Sequence, residues 1–208
     1  IVVRPQYLRA PEEVTAQLAA RSADVVARAG VTGTLRASLV GLVGAAPTDL
    51  SLQPGRFDPA RPVASSSAVA TSFAVPTSTA VARFALAASH DGDDLDLFVY
   101  RDGRLVASAD SLASDERVTL VQPPSGVYEV YAVSSASNST TSTPAQLTGW
   151  LLPEGVRARA QISPRPLRVT GGRLFEMTVS WGRLDESKQW FGYVRYAESA
   201  RRTYLTLD

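Results

Sequence analysis

Cysteine is absent from this sequence of 208 residues, so neither a disulfide nor a thiolate metal site can form. Histidine occurs once, at His90, and lysine once, at Lys188. No apolar run approaches the roughly 18 residues of a membrane-spanning helix, and we therefore expect no membrane segment. The net charge of +1 does not provide the excess of positive charge typical of nucleic-acid-binding proteins. We therefore do not expect this chain to bind nucleic acid.

The composition is that of a folded protein. Hydrophobic residues make up 45% of the chain and charged residues 20%, which is enough apolar material for a substantial core. The length allows one large domain or two of ordinary size. The chain opens at Ile1 without a methionine, a basic segment or an apolar leader, and this predicts a piece of a longer polypeptide whose targeting signal lies elsewhere.

Apolar and polar residues alternate along much of the chain. The pattern is clear in Leu35–Leu39, Val156–Ile162 and Phe175–Trp181. A period of two places one apolar face on a core and one polar face in water, as in antiparallel sheets. The sequence therefore predicts many β-strands.

Turn-forming residues separate these runs. Asp102-Gly103 lies between two strand-like segments and predicts a hairpin with a type I′ turn, which needs positive φ at both central residues. Two stretches rich in serine, threonine or proline, Gly55–Ser67 and Ser134–Pro144, are expected to be loops or boundaries.

The middle of the chain resembles the bacterial pre-peptidase C-terminal (PPC) domain. The matching segments are Val81–Leu86, Asp94–Tyr100 with the Asp-Gly turn that follows, Ser114–Leu120 and Ser125–Val133. The resemblance implies a small jelly-roll-like β-sandwich of the kind appended to secreted peptidases.

The flanks resemble the fibronectin-III-like domain that follows the catalytic domain in subtilases. Gly33–Gly41 is similar to its early strands, and Phe175–Val179, Trp190–Tyr196 and Arg202–Leu207 to its later ones. The predicted fold class is therefore all-β, with two β-sandwiches: residues 56–150 form the PPC sandwich, inserted into a discontinuous Fn3/Ig-like sandwich of residues 1–55 and 151–208. Three small modules in a row are the alternative.

The segment Pro11–Gly30 is ambiguous. Proline and acids at its start, an apolar stripe at helical spacing and a terminal glycine favour a helix. The resemblance instead implies two strands, Val14–Ala19 and Ala23–Arg28, turning at Arg21-Ser22, and this is our prediction.

Clustered aspartates mark a candidate metal site. Asp91, Asp93, Asp94 and Asp96 repel one another unless water or a cation separates their charges, and calcium prefers six to eight oxygen ligands. Related sandwiches that sometimes hold calcium make Ca²⁺ the expected ion, with Asp115 and Glu116 as further candidates. The alternative is that Asp96 caps a turn while the other aspartates are solvated.

Catalytic residues are not expected in this chain. Ala70–Pro76 is similar to the subtilase nucleophile motif G-T-S-M-A-x-P, but alanine replaces the first glycine. The one histidine, His90, follows Ser72 instead of preceding it, and a serine without a base is a weak nucleophile. We therefore predict that the chain has no catalytic triad.

The aromatic residues Phe98, Tyr100, Tyr128, Tyr131 and Trp150 lie on alternating runs. We interpret them mainly as core residues, since packing is the usual use of aromatic side chains. A ligand-binding platform is the alternative.

The resemblance implies an accessory region of a secreted, subtilisin-like serine endopeptidase, which stabilises the catalytic domain or docks substrate. Its expected partners are that peptidase domain, in the same polypeptide, and polypeptide substrate; the expected oligomeric state is a monomer, and the location extracellular. The alternatives are a free-standing module that binds carbohydrate or protein, and a hydrolase that uses Ser72 and His90.

Overall fold

The computed structural model describes residues 7–136, 142–197 and 199–208. Its regular structure is almost entirely strand, which confirms the all-β prediction; within the described residues the helical element is one 3₁₀ turn, Leu18–Ala20. No helix in these ranges has the length and apolar character needed to cross a membrane.

The strands of the described residues are numbered in chain order. They are β1 (Leu8–Arg9), β2 (Glu13–Ala16), β3 (Ser22–Ala29), β4 (Gly33–Leu35), β5 (Ala37–Ala45), β6 (Thr48–Leu52), β7 (Ala68–Val75), β8 (Thr79–Ala88), β9 (Asp94–Arg101), β10 (Arg104–Ala109), β11 (Asp115–Val121), β12 (Gly126–Ala136), β13 (Thr143–Pro153), β14 (Ala160–Ser163), β15 (Leu167–Val169), β16 (Leu174–Trp181), β17 (Gln189–Tyr196) and β18 (Arg202–Leu207).

The chain divides into two compact units. One, here called the split sandwich, comprises Ile1–Gly44 and Gly155–Asp208; the other, the inserted sandwich, comprises Ala45–Glu154. The sequence placed the first boundary after residue 55, but β6 pairs with β13 and belongs to the inserted sandwich. The second boundary also moves, from 150 to 154, because β13 continues to Pro153. The family identity of each unit stays a prediction.

Two four-stranded sheets form the split sandwich, with strand orders β1-β3-β16-β14 and β2-β18-β17-β5, and β4 pairs with β15 in a further two-stranded sheet. The first corresponds to strands A-B-E-D of an immunoglobulin-type sandwich, and the second to A′-G-F-C. β2 runs parallel to β18, whereas β3, β16 and β17 have antiparallel partners. Buried residues from both sheets form one core, which includes Val25, Met177, Trp181, Tyr196 and Leu205.

The ambiguous segment forms parts of both sheets. The predicted strand Ala23–Arg28 is confirmed, because β3 covers it, and Arg21 takes the left-handed turn conformation at φ 61°. The predicted strand Val14–Ala19 is too long, since β2 ends at Ala16 and a 3₁₀ turn follows. That turn has tertiary causes: the Leu18 N–H donates to the Asp208 carbonyl (2.7 Å), and the Leu18 carbonyl accepts from Trp181 Nε1 (3.0 Å).

The insertion lies between β5 and β14 of the split sandwich. The Arg159 N–H donates to the Gly41 carbonyl (3.0 Å), so the chain returns close to where it left. Close ends are what allow one domain to interrupt a loop of another. The predicted strand over Val156–Ile162 is shorter than expected, because β14 begins only at Ala160.

The inserted sandwich is a jelly roll in strand order. Its sheets are β10-β9-β12-β7 and β11-β8-β13-β6, and every pairing within them is antiparallel. Two four-stranded sheets connected in this order enclose a core between them. The rings of Phe73 and Phe84 pack in it with centroids 4.8 Å apart.

Turns and loops agree in part with their predictions. Asp102 (φ 51°) and Gly103 (φ 70°) join β9 to β10, which confirms the positive φ values expected for a type I′ hairpin. No strand occurs in Gly55–Ser67, as predicted for a loop. The second predicted loop, Ser134–Pro144, is shorter, because β12 extends to residue 136 and β13 starts at residue 143; residues 137–141 of that loop lie outside the described residues.

Candidate functional site

The four aspartates of the predicted calcium site lie where β8 connects to β9. Asp91 is exposed in a turn, Asp93 is buried, and Asp94 and Asp96 begin β9. Asp96 accepts a hydrogen bond from the Ser135 hydroxyl of the neighbouring strand β12. Among the described residues, no three aspartate, glutamate or histidine side chains are gathered as a metal site requires. The arrangement therefore gives calcium no support, and calcium binding stays a prediction of the sequence.

Of the two further candidate calcium ligands, Glu116 is engaged in hydrogen bonds within a loop and Asp115 is exposed. The buried Glu116 carboxylate accepts the Ser111 N–H (3.0 Å) and the Ser111 hydroxyl (2.5 Å), which fixes the loop between β10 and β11. Asp115 is exposed on β11. One oxygen of Asp94, Oδ1, is buried without a hydrogen-bond partner among the described residues.

Asp96 is the acid of this loop whose environment opposes ionisation. Burial raises the pKa of Asp96, the hydrogen bond from Ser135 lowers it, and the charges of Asp94, Asp110 and Glu116 raise it further. Desolvation and neighbouring like charges both favour the neutral carboxyl. An ionised Asp96 therefore costs folding free energy at neutral pH.

We expect the folded chain to gain stability from Asp96 as the pH falls. Because the folded-state pKa is raised, the native state holds the proton at pH values where the unfolded state has lost it. Stability therefore rises as the pH falls through the folded pKa of Asp96 toward the unfolded value near 3.8. Asp96→Asn removes the charge, and in chelator its melting temperature at neutral pH should equal or exceed that of the wild type.

In chelator the matched control is Asp91→Asn, on an exposed side chain of the same loop, which should leave the melting temperature unchanged. If millimolar calcium raises the melting temperature of the wild type but not of Asp96→Asn, the calcium prediction is supported. A lower melting temperature of Asp96→Asn in chelator would contradict the account of Asp96.

Ser72 and His90 lie in different parts of the inserted sandwich. Ser72 is exposed on β7, directly opposite Glu129 of β12. His90 follows β8, in the exposed bend before β9. In the described ranges no hydrogen bond joins these two side chains, so the structure does not assemble them into a nucleophile and its base.

The aromatic residues are core residues, as the main interpretation held. Phe98, Tyr100, Tyr128, Tyr131 and Trp150 are each at most 7% exposed. The loop before β7 covers part of this group: Phe57 packs on Phe98 at 5.0 Å, and the Tyr100 hydroxyl donates to the Pro59 carbonyl (2.8 Å). A flat platform on which sugar rings stack is therefore not formed by these residues.

Two of the surface grooves in the described part of the split sandwich were not evident from the sequence. The first, of about 320 Å³, lies between the β4–β5 kink and the proline-rich turn Pro164–Pro166. The second, of about 450 Å³, lies where the chain leaves β1; its lining is Arg9, Ala10, Pro11, Val26, Ala27, Arg28 and Leu174.

A signal for the second groove was present in the sequence. Val26 and Leu174 occupy positions that alternation assigns to the solvent side, and both are large apolar residues. In the structure they are 48% and 63% exposed. Exposed apolar residues that cluster in this way mark candidate interaction sites.

Comparison with known proteins finds similarity only among solved structures, and it is distant. No protein-family model and no curated protein matches the sequence. Among solved structures, that of Tripeptidyl Peptidase 2 (TPP II) aligns with 97% of this chain at 12% identity and a TM-score of 0.36. This chain covers 20% of that peptidase's chain. A similarity this distant identifies neither the family nor the activity of the chain.

Proposed function

We propose that this chain is a non-catalytic accessory region of a secreted subtilisin-like serine endopeptidase, which stabilises the catalytic domain and docks polypeptide substrate. The observation that carries the proposal is the architecture. An antiparallel jelly roll interrupts an immunoglobulin-type sandwich between β5 and β14, which is the arrangement that the sequence resemblance implies.

The positions of the resembling segments support this proposal. Val81–Leu86 lies in β8, Asp94–Tyr100 in β9, and most of Ser125–Val133 in β12, all in the inserted sandwich. Phe175–Val179 and Trp190–Tyr196 lie in β16 and β17 of the split sandwich. Each group of motifs therefore falls in a single unit, as two distinct domains would require.

A free-standing recognition module is the second candidate. The exposed Val26 and Leu174 of the split sandwich favour a protein ligand. Carbohydrate is less favoured, because the described aromatic residues that could form a stacking platform are buried. Binding of this chain to a protein or glycan array, saturable and tight in the absence of any peptidase domain, would support this candidate.

The accessory role is tested on the complete polypeptide that contains this chain, compared with a form lacking residues 1–208. We expect the complete form to hydrolyse casein. The shortened form should keep its turnover of a small peptide ester while losing thermal stability or showing a raised KM for casein. Absence of peptidase activity from the complete polypeptide would contradict the proposal, and so would identical stability and KM in the two forms.

A further inference from the structure

One edge of β3 lacks a neighbouring strand over most of its length. β16 pairs with β3 from Ser22 to Arg28, whereas β1 pairs with it only at Arg28 and Ala29. Beyond β1 the chain crosses to the other sheet, where the Pro11 carbonyl accepts from the Thr203 hydroxyl (2.8 Å). Within the described residues, no strand therefore pairs with residues 22–27 on that side, although β2 of the other sheet packs against β3.

The hydrogen bonds at the end of β3 show which backbone groups lie on the open edge. The Ala29 N–H donates to the Arg173 carbonyl (3.0 Å) on the β16 side, and the Gly30 N–H donates to the Tyr7 carbonyl (2.9 Å) on the β1 side. Because successive residues of a strand bond to opposite sides, odd-numbered residues of β3 bond to β16 and even-numbered ones face the β1 side. The N–H and C=O groups of residues 22, 24 and 26 thus point to the open edge.

Apolar and charged side chains on the outer face lie beside this open edge. Val26 and Leu174 form an apolar floor. Arg9 and Arg28 lie at one end; Arg28 donates to the Gly172 carbonyl (2.8 Å), and Arg9 has no ion-pair or hydrogen-bond partner among the described residues. At the other end of the edge lies the exposed acid Asp24, whose carboxylate accepts from the Thr178 hydroxyl (2.8 Å), and the exposed Glu176 lies opposite Val26.

We propose that the open edge of β3 binds an extended polypeptide segment by strand addition. Such a segment takes up the free N–H and C=O groups of Asp24 and Val26, as peptides do at other exposed sheet edges. Its apolar side chain lies on Val26 and Leu174, and a basic side chain two residues further on, which faces the same way, lies beside Asp24. This inference rests on the proposed docking role and locates it on the split sandwich.

The backbone pattern selects a polypeptide over other ligands. A strand edge offers alternating donors and acceptors spaced two residues apart, which matches an extended peptide. The charges on the outer face, with arginines at one end and the acids Glu176 and Asp24 further along, also set the direction of the bound segment.

The test uses the 208-residue chain and a fluorescein-labelled peptide, Ser-Val-Ala-Lys-Ala-Thr. In an antiparallel strand these residues pair with residues 27 down to 22, so the valine lies beside Val26 and the lysine, two residues further on and on the same face, beside Asp24. We expect saturable binding by fluorescence anisotropy. The amides of Asp24 and Val26 should exchange rapidly in the free chain and slow by about tenfold when the peptide saturates the site.

Val26→Lys places a charge on the edge and should weaken binding by about tenfold. Val127→Lys is the matched control, because Val127 is a similarly exposed valine (57%) on β12, a strand with partners on both sides. This control should change the affinity by less than about twofold. Unchanged melting temperatures show that both variants are folded.

Several results would overturn the proposal: no binding at millimolar peptide, equal binding of a scrambled peptide, equal losses in the two valine variants, or slow exchange of Asp24 and Val26 in the free chain. Protection of these amides that grows with protein concentration alone would assign the edge to a second copy of the chain. The peptidase domain is absent from this binding experiment. A negative result would therefore exclude this docking site alone, and the stabilising role would still be tested by comparing the complete and shortened polypeptides.

Discussion

Trp181→Ala is expected to lower the free energy of unfolding of the split sandwich by about 3–5 kcal/mol, the usual cost of removing a large buried aromatic side chain. Trp181 is buried at the end of β16, within the core shared by both sheets. Its Nε1 also donates to the Leu18 carbonyl (3.0 Å), which holds the 3₁₀ turn against the core. The substitution therefore removes packing and a buried hydrogen bond together. Urea unfolding followed by circular dichroism measures the loss.

Trp181→Phe separates the two contributions. It keeps most of the ring volume but removes the donor, and we expect a smaller loss of about 1–2 kcal/mol. If Trp181→Ala left the urea midpoint unchanged, the side chain would not be part of the core. If Trp181→Phe lowered the free energy of unfolding as much as Trp181→Ala, the loss would come from the hydrogen bond to Leu18 and not from the burial of the ring.

Phe84→Ala should destabilise the inserted sandwich by about 3–5 kcal/mol. Phe84 lies in β8, is fully buried, and packs against Phe73 of the facing sheet. Phe73 in turn lies against Gly149, where an added Cβ would be only 2.2 Å from the Phe73 ring. Because Gly149 is the cross-strand partner of Phe84 and has no side chain, it does not fill the space that Phe84→Ala leaves beside Phe73.

The control for Phe84→Ala is Leu112→Ala, a leucine that is 92% exposed. Its effect should stay within about 0.5 kcal/mol, as for surface substitutions in general. Thermal and urea unfolding of the two variants give the comparison. Equal stability of Phe84→Ala and the wild type would show that the two sheets do not pack on each other through this ring.

Local pattern predicted the strands well where one face is buried. Phe175–Trp181 alternates strictly and forms β16, with Met177, Val179 and Trp181 in the core. The Asp102-Gly103 hairpin was also predictable, because few residue pairs adopt two successive positive φ values.

The departures from prediction have tertiary causes. β6, with the sequence Thr-Asp-Leu-Ser-Leu, contains few apolar residues, and only its pairing with β13 places it in the inserted sandwich. The turn at Leu18 depends on bonds to Trp181 and Asp208, which are more than 160 residues away in the sequence. A local pattern contains no information about such partners.

The candidate sites were predictable only as residue types. The sequence shows that four aspartates are close along the chain, but their directions depend on the turn before β9, which exposes Asp91 and buries Asp93. The open edge of β3 arises because β1 is short and the chain leaves it at Pro11, and that departure is evident only once the strands are paired.

We propose that this chain contributes sandwich surfaces to a peptidase whose reacting serine lies elsewhere. The most direct test is incubation with a biotinylated fluorophosphonate, followed by mass spectrometry of the labelled peptides. In the 208-residue chain we predict no labelled serine and no casein cleavage, and in the complete polypeptide a labelled serine outside these residues. Labelling of Ser72, abolished by His90→Ala, would contradict the claim.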